Sequence, residues 1–258
     1  MRILLIGNPG SFFKESKRKL SLSFDVDAYC VDRERRLSIL SDFSNNQGFW
    51  DFEKYIAIVY ISGETRNKEF MGLLNFELPS ILADISCQNN MGFVYLSSLA
   101  VFAGCVEDLI TVKSEFKPID DYGKTKALFD HHISKLEKIY PGSRVKTIFP
   151  ASFYSKSGRS SIEKFGFYKQ KFSKIFNIVS LQGCLSYVDR DDVIDKIVVS
   201  LKREDYRAEI MAKHYELKDE NSKFTFPKPP LLLFKIIGKV FPRISVKMRM
   251  LLRGVYYK

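Results

Sequence analysis

The sequence predicts an α/β fold built on a doubly wound parallel sheet. Short apolar, β-branched runs alternate with helical stretches over the first 150 residues. Two of those runs, 56–61 and 93–96, show no polar alternation, as expected of strands covered on both faces. The first run ends directly in a glycine turn that opens a helix. Repeated strand–helix alternation gives a parallel sheet with helices on both faces, and right-handed crossovers bring the ligand loops to the carboxyl ends of the strands.

The elements follow in order. Residues 2–6 (Arg-Ile-Leu-Leu-Ile) form a buried strand that reaches Gly7. A helix over about 12–22 leads to a second strand over 26–31 and a third over 56–61. The helical region 67–88 is expected to break at Pro79, because proline lacks the donor that a helix interior needs. The strand 93–96 precedes a long helix over 121–139, which ends at Pro141 and Gly142. Residues 145–149 form a strand closed by Pro150. These elements define a core over 1–150, and the chain returns to it around 185–203. Residues 151–258 read as a smaller, mainly helical substrate region with a basic C-terminal tail. Within it, 152–161 reads as a loop, and Asp189–Asp192 opens a helix with acids where the helix dipole favours them.

Composition narrows the function. Of 258 residues, 45% are hydrophobic and 28% charged, a globular balance. Cys30, Cys87, Cys105 and Cys184 are scattered without metal-ligand spacing, which predicts no disulfide, no structural metal and a reducing, cytoplasmic location. The apolar run after Met1 is too short for a signal core or a membrane span. The net charge of +11 suits an anionic partner. No nucleic-acid motif accompanies it, so nucleotide phosphates explain the excess more economically than nucleic acid.

Gly7-Asn8-Pro9-Gly10 lies between the first strand and a helix, the context of a dinucleotide phosphate loop. Gly7 suits the tight turn. Gly10 suits close approach of a pyrophosphate, with the N–H groups of Ser11 and Phe12 facing it. Phe13 stands where a third small residue is usual. Asp32 follows the second strand about 20 residues on, where an acid accepts ribose hydroxyls and favours NAD. Arg33, Arg35 and Arg36 suit a 2′-phosphate instead, so NADP stays open.

Tyr122 and Lys126 lie four residues apart at a helix start and share a face. An ammonium near a phenol favours phenolate and suits the tyrosine to proton transfer. Ser97 and Ser98 end the strand 93–96.

Together these pieces resemble the extended short-chain dehydrogenase/reductase superfamily, in its nucleotide-sugar epimerase/dehydratase branch. Residues 93–102 (Phe-Val-Tyr-Leu-Ser-Ser-Leu-Ala-Val-Phe) are similar to that branch's strand and Ser-Ser-x-x-Val-Tyr segment. Ile61-Ser62-Gly63 resembles the segment lining the cofactor cleft, and Asn75–Pro79 resembles the helix before the serine strand. Residues 149–154 resemble the segment beside the nicotinamide, and 187–193 the segment returning to the core. Phe13, Phe102, Phe149 and Ala151 depart from the family pattern.

The resemblance implies a Rossmann-type sheet with a small C-terminal substrate-binding region. It implies Ser98 as the catalytic hydroxyl, Ser97 being second choice, with Tyr122 moving a proton at a sugar oxygen. Lys126 is implied to assist the tyrosine and hold the nicotinamide ribose. Gly7, Gly10, Ser11, Phe12, Asp32, Arg33, Ile61, Ser62, Gly63 and Pro150 complete the expected cofactor contacts. Ser98, Phe153 and Arg159 are expected to meet substrate, with Lys164 and 169–174 as further cations. Leu99 and Ala100 occupy the places where dehydratases carry acids. That leaves 4-keto reduction or 4-epimerisation of a nucleotide-linked sugar, in polysaccharide synthesis. The alternative is a non-catalytic dinucleotide-binding module that keeps the fold. The resemblance also implies a homodimer through the Tyr122 helix.

The tail after Glu220 holds no acidic residue. Segments 231–240 and 246–252 have amphipathic helical patterns. The expectation is that they bury their apolar faces within the protein; peripheral contact with an anionic membrane is the competing reading.

Overall fold

The computed structural model describes residues 1–32, 34, 38, 51–154, 179–180, 184–216, 224–225, 231–252 and 254–258. Two compact units emerge. The first comprises Met1–Ser98, Asp120–Phe149 and Asp191–Glu209, and the second Leu99–Ile119, Pro150–Arg190 and Ile210–Lys258.

The first unit holds β1 (Arg2–Gly7), α1 (Ser11–Leu20), β2 (Asp25–Cys30), β3 (Ala57–Tyr60) and β4 (Gly92–Leu96). The strand β5 (Leu109–Ile110) lies in the second unit, and β6 (Val145–Pro150) continues the first unit's sheet. The six-stranded sheet has the order β2-β1-β3-β4-β6-β10, where β10 is Glu209–Met211. The pairings of β1 with β2 and β3, of β3 with β4, and of β4 with β6 are all parallel. This is a Rossmann-type sheet whose strand order reverses at β1, so the loops after β1 and β3 open at the switch point.

Burial follows the expected pattern. Residues 3–6 of β1 and all of β3 are buried, as strands covered on both faces must be. Lys146, in β6, is fully buried. Its ammonium donates to the Arg207 carbonyl at 3.0 Å and to Glu209 at 3.2 Å, so the charge is paired.

The helical stretch does not break at Pro79. It runs as α2 (Lys68–Gly72), one π turn (Leu73–Glu77) and α3 (Leu78–Gln88). In the wide turn the Leu78 N–H reaches the Leu73 carbonyl, and Pro79 has no N–H to offer Asn75 four residues back. The released carbonyls of Leu74 and Asn75 accept from the hydroxyls of Tyr60 at 2.7 Å and Tyr95 at 2.9 Å. Strand tyrosines thereby satisfy what the proline opened, and the helix continues. The span Lys68–Gln88 is long and apolar enough to cross a membrane by length and composition. Here Leu74, Leu78 and Leu82 are buried in the core with Phe93 and Tyr95.

Helix α4 (Asp121–Ile139) is capped by Asp120, whose carboxylate accepts the Gly123 N–H at 2.8 Å. It ends before Gly142, which takes a positive φ of 85°. Helix α5 (Arg190–Arg203) carries Asp191 and Asp192 in its first turn and Lys202 and Arg203 in its last, matching the helix dipole.

In the second unit, β9 (Cys184–Asp189) pairs parallel with β7 (Ser152–Tyr154) and antiparallel with β11 (Lys213–Glu216). Strand β5 pairs with β13 (Tyr256–Tyr257), and β8 (Val179–Ser180) with β12 (Phe224–Thr225). Helices α6 (Leu231–Val240) and α7 (Pro242–Leu252) complete it. Contrary to the expectation of buried apolar faces, α6 leaves Leu232, Leu233, Ile236 and Val240 exposed.

Candidate active site

The site is assembled within the first unit from the loops after β1, β3 and β4 and the start of α4. At Gly7 an added Cβ would lie 2.6 Å from Phe13 Cδ2 and 2.8 Å from Ile61 Cγ1, so only glycine fits. Phe13 therefore packs against the turn in place of a third small residue. The Gly7 carbonyl accepts the Val31 N–H at 2.9 Å, which sets the end of β2 and Asp32 beside the loop. Gly10 stands at the start of α1, with no heavy atom of the described residues beyond its chain neighbours within 4 Å of where its Cβ would lie. Helix α1 has no acidic residue in its first turn, and lysines and an arginine fill its last. Its amino end accordingly presents a positive dipole without a carboxylate to offset it.

Asn8 ties this loop to the segment after β3. Its amide donates to the Gly63 carbonyl, and its Oδ1 accepts from the Ser62 hydroxyl at 2.6 Å. Ile61, Ser62 and Gly63 are thereby held against Gly7 and Asn8. Gly63 in turn borders the catalytic candidates, since a Cβ there would be 3.3 Å from Lys126 Nζ and 3.3 Å from Asn75 Oδ1.

The two adjacent serines have different neighbours. Ser98 lies near enough to the Tyr122 phenol to lower its proton affinity, whereas buried Ser97 donates to Asp130 at 3.0 Å. Tyr122 is half-buried, and burial raises its phenol above the ordinary value; the Ser98 hydroxyl opposes that rise and the Asp120 charge adds to it. The phenol therefore keeps its proton at neutral pH.

Lys126 is 1% exposed. Its ammonium donates to the Leu96 carbonyl at 2.9 Å and lies 4.4 Å from the centre of the Tyr95 ring. Burial pushes it down to about 7, against the pull of Asp130 one turn further along α4. Burial also pushes the Asp130 carboxyl up, to about 7, opposed by the Ser97 hydrogen bond and by Lys126. Two ionisable groups thus share one dry pocket, and each is displaced toward its neutral form.

Asn75, fully buried, joins the parts. Its Oδ1 accepts the Glu64 N–H at 2.9 Å. Its amide donates to the Glu64 carbonyl at 2.9 Å and to Thr125 Oγ1 at 3.0 Å, and Thr125 donates to the Tyr122 carbonyl at 3.0 Å. Sequence reasoning gave no role to Asn75, Asn8 or Asp130. The available signals were a lone asparagine in an apolar helix and an acid four residues after Lys126 on its buried face.

The other expected residues lie elsewhere. Pro150 and Phe153 belong to the second unit, where the Arg190 guanidinium lies 6.0 Å from the Phe153 ring centre. Arg33, Arg35, Arg36, Arg159, Lys164 and 169–174 lie outside the described residues.

No protein-family profile matches the chain. Solved structures do match it. A dTDP-4-dehydrorhamnose reductase from Bacillus anthracis in complex with NADP superposes with a TM-score of 0.63 at 14% identity, covering 99% of this chain and 83% of that one. A UDP-glucuronic acid 4-epimerase from Bacillus cereus in complex with NAD gives 0.61 at 12% identity, over 100% and 88%. A hypothetical dTDP-4-dehydrorhamnose reductase from Sulfolobus tokodaii gives 0.61 at 19% identity, over 100% and 86%. At these identities the likeness establishes the fold.

Proposed function

We propose that the protein is an NAD(P)-dependent oxidoreductase or epimerase acting at C4 of a nucleotide-linked sugar, in the cytoplasm and in the service of polysaccharide synthesis. The observation that carries this reading is the placement of Ser98 beside Tyr122, one helical turn before buried Lys126, with the glycine loop at the switch point. Solved structures of the same fold include a dTDP-4-dehydrorhamnose reductase in complex with NADP and a UDP-glucuronic acid 4-epimerase in complex with NAD.

The loop fits a dinucleotide. Gly10 leaves open space above the backbone, the first turn of α1 carries no acid, and Asp32 stands at the end of β2. Gly7, Gly10, Ser11 and Phe12 would take the pyrophosphate, and Ile61 to Gly63 would border the nicotinamide half. When bound, the nicotinamide supplies or accepts the hydride, which no side chain of this chain can do.

The chain's own part is proton transfer and orientation. Tyr122, holding its proton at neutral pH, donates it to the oxygen of a 4-keto group as that oxygen gains charge. Ser98 is the second donor to the same oxygen and fixes its position. Lys126, one turn behind the tyrosine, supplies positive charge there in its protonated form, and Asn75 keeps the α4 start in register with the loop after β3. A protonated Tyr122 favours the reductive direction, so 4-keto reduction is the first reaction to test.

The test is incubation with nucleotide-4-ketosugars and NADH or NADPH deuterated at the transferable position. Deuterium appearing at C4, and lost in Tyr122→Phe, is the expected result. Dinucleotide binding without turnover of any 4-ketosugar or 4-epimer substrate would transfer the protein to the non-catalytic binding module.

A further inference from the structure

The second unit contains a cavity of about 450 Å³ that the proposed chemistry does not use. One wall is the face of α7 carrying Pro242, Ser245, Val246 and Arg249, spaced as one side of a helix must be. Lys235 and Lys239, one turn apart on α6, form another part, and Lys117 a third. Among the described residues, no Asp or Glu lines it. Arg249 is 2% exposed, and its Nε has no hydrogen-bond partner among the described residues. Burial is the largest influence on this guanidinium, and Asp108 and Glu107 act on it only through space. A buried cation with an unpaired donor is costly unless an anion completes it. Lys117 is engaged by Glu115 at 2.8 Å, which leaves Arg249 and the two α6 lysines as the cations among the described lining residues.

The same helix has a second feature. Lys235 and Lys239 border one side of the row Leu232, Leu233, Ile236 and Val240, which is exposed and continues into exposed Phe241. A helix with an apolar face bordered by lysines is built to lie in a membrane interface, its stems along the acyl boundary and its ammonium groups at the phosphates. The absence of any Asp or Glu after Glu220 removes repulsion from an anionic surface.

We propose that this unit docks on an anionic phospholipid surface. The apolar face of α6 enters the headgroup–acyl boundary, and one lipid phosphate seats in the cavity between Lys235, Lys239 and Arg249. The ligand chemistry is a phosphate monoanion, and the apolar face assigns it to a lipid. The docking is independent of turnover.

Flotation of the full chain tests it, with phosphatidylcholine vesicles against vesicles containing about 30 mol% phosphatidylglycerol. The expected result is recovery with the anionic vesicles alone. Lys235→Glu with Lys239→Glu, and separately Ile236→Asp with Val240→Asp, should each lower that recovery at least about tenfold, with an unchanged circular dichroism spectrum. All four positions are exposed, so these variants fold even if Arg249→Gln does not. Absence of flotation, or equal flotation on both vesicles, overturns the proposal. Calorimetric binding of inorganic phosphate without flotation assigns the cavity to a soluble anion and also overturns it. So does a dimer in sedimentation that the Ile236→Asp, Val240→Asp variant splits, since a second copy would then cover the face.

Discussion

The Lys126 ammonium donates to the main-chain carbonyl of Leu96 at 2.9 Å, tying the helix that bears Tyr122 to the strand end that leads into Ser98. The bond makes the lysine a structural strut as well as a charge. Lys126→Met is expected to remain folded, lose about 1–3 kcal/mol with the donor, and lower turnover by about 10²-fold or more. Thermal unfolding beside steady-state assay checks both. Unchanged turnover would remove Lys126 from the proposed chemistry.

Asp130 and Lys126 impose opposite pH dependences on stability. The fold raises Asp130 from its ordinary 3.8 to about 7, so the folded chain keeps a proton that the unfolded chain has lost. Stability from this group falls as pH rises through that window. The fold lowers Lys126 from 10.5 to about 7, so above pH 7 the unfolded chain holds the extra proton and stability rises. The two contributions together place a minimum near neutrality. Asp130→Asn should abolish the acid limb and leave the alkaline one, as read by chemical denaturation between pH 4 and 10. A variant retaining the acid limb would show that Asp130 is ionised in the fold.

Asn75 replaced by Ala leaves the Glu64 N–H and carbonyl without their side-chain partners. The expected loss is about 1–3 kcal/mol for each buried group that finds no substitute. The Thr125 contact is lost too, so the α4 start should loosen. Hydrogen exchange at Gly123 and Lys124 should quicken more than at the distal end of α4. Uniform quickening along α4 would deny Asn75 its positioning role.

Gly7 and Gly10 separate two reasons for glycine. Gly7→Val drives a side chain into Phe13 and Ile61 and should destabilise the fold itself. Gly10→Val meets open space in extended backbone, at φ 161°, and should leave the melting temperature nearly unchanged. Its effect should appear only as weakened dinucleotide binding. Equal dinucleotide affinity in Gly10→Val would place the pyrophosphate away from this loop.

Much of the architecture was legible because strand and helix periodicity is a local property. The buried strands 57–60 and 92–96 and the helix Asp121–Ile139 follow from apolar runs and from Pro141-Gly142. The continuation through Pro79 was not legible, because it depends on hydroxyls of Tyr60 and Tyr95, which reach the π turn between α2 and α3 only after the sheet has formed. Asp130 and Asn75 escaped for a similar reason. Each is a polar residue whose partner lies on another element, and spacing within one helix does not reveal it. The exposed row on α6 was misjudged because an amphipathic pattern states that two faces differ, not which face is covered.

Titration of the folded protein with NADH and NADPH, followed by nicotinamide emission and protein fluorescence quenching, tests the central claim most directly. The account predicts micromolar-range binding of one of them, retained in Tyr122→Phe and weakened in Gly10→Val. Failure of the folded wild-type chain to bind either dinucleotide would contradict it, because the glycine loop, Asp32 and the Ser98–Tyr122 pair would then share a fold without sharing a cofactor.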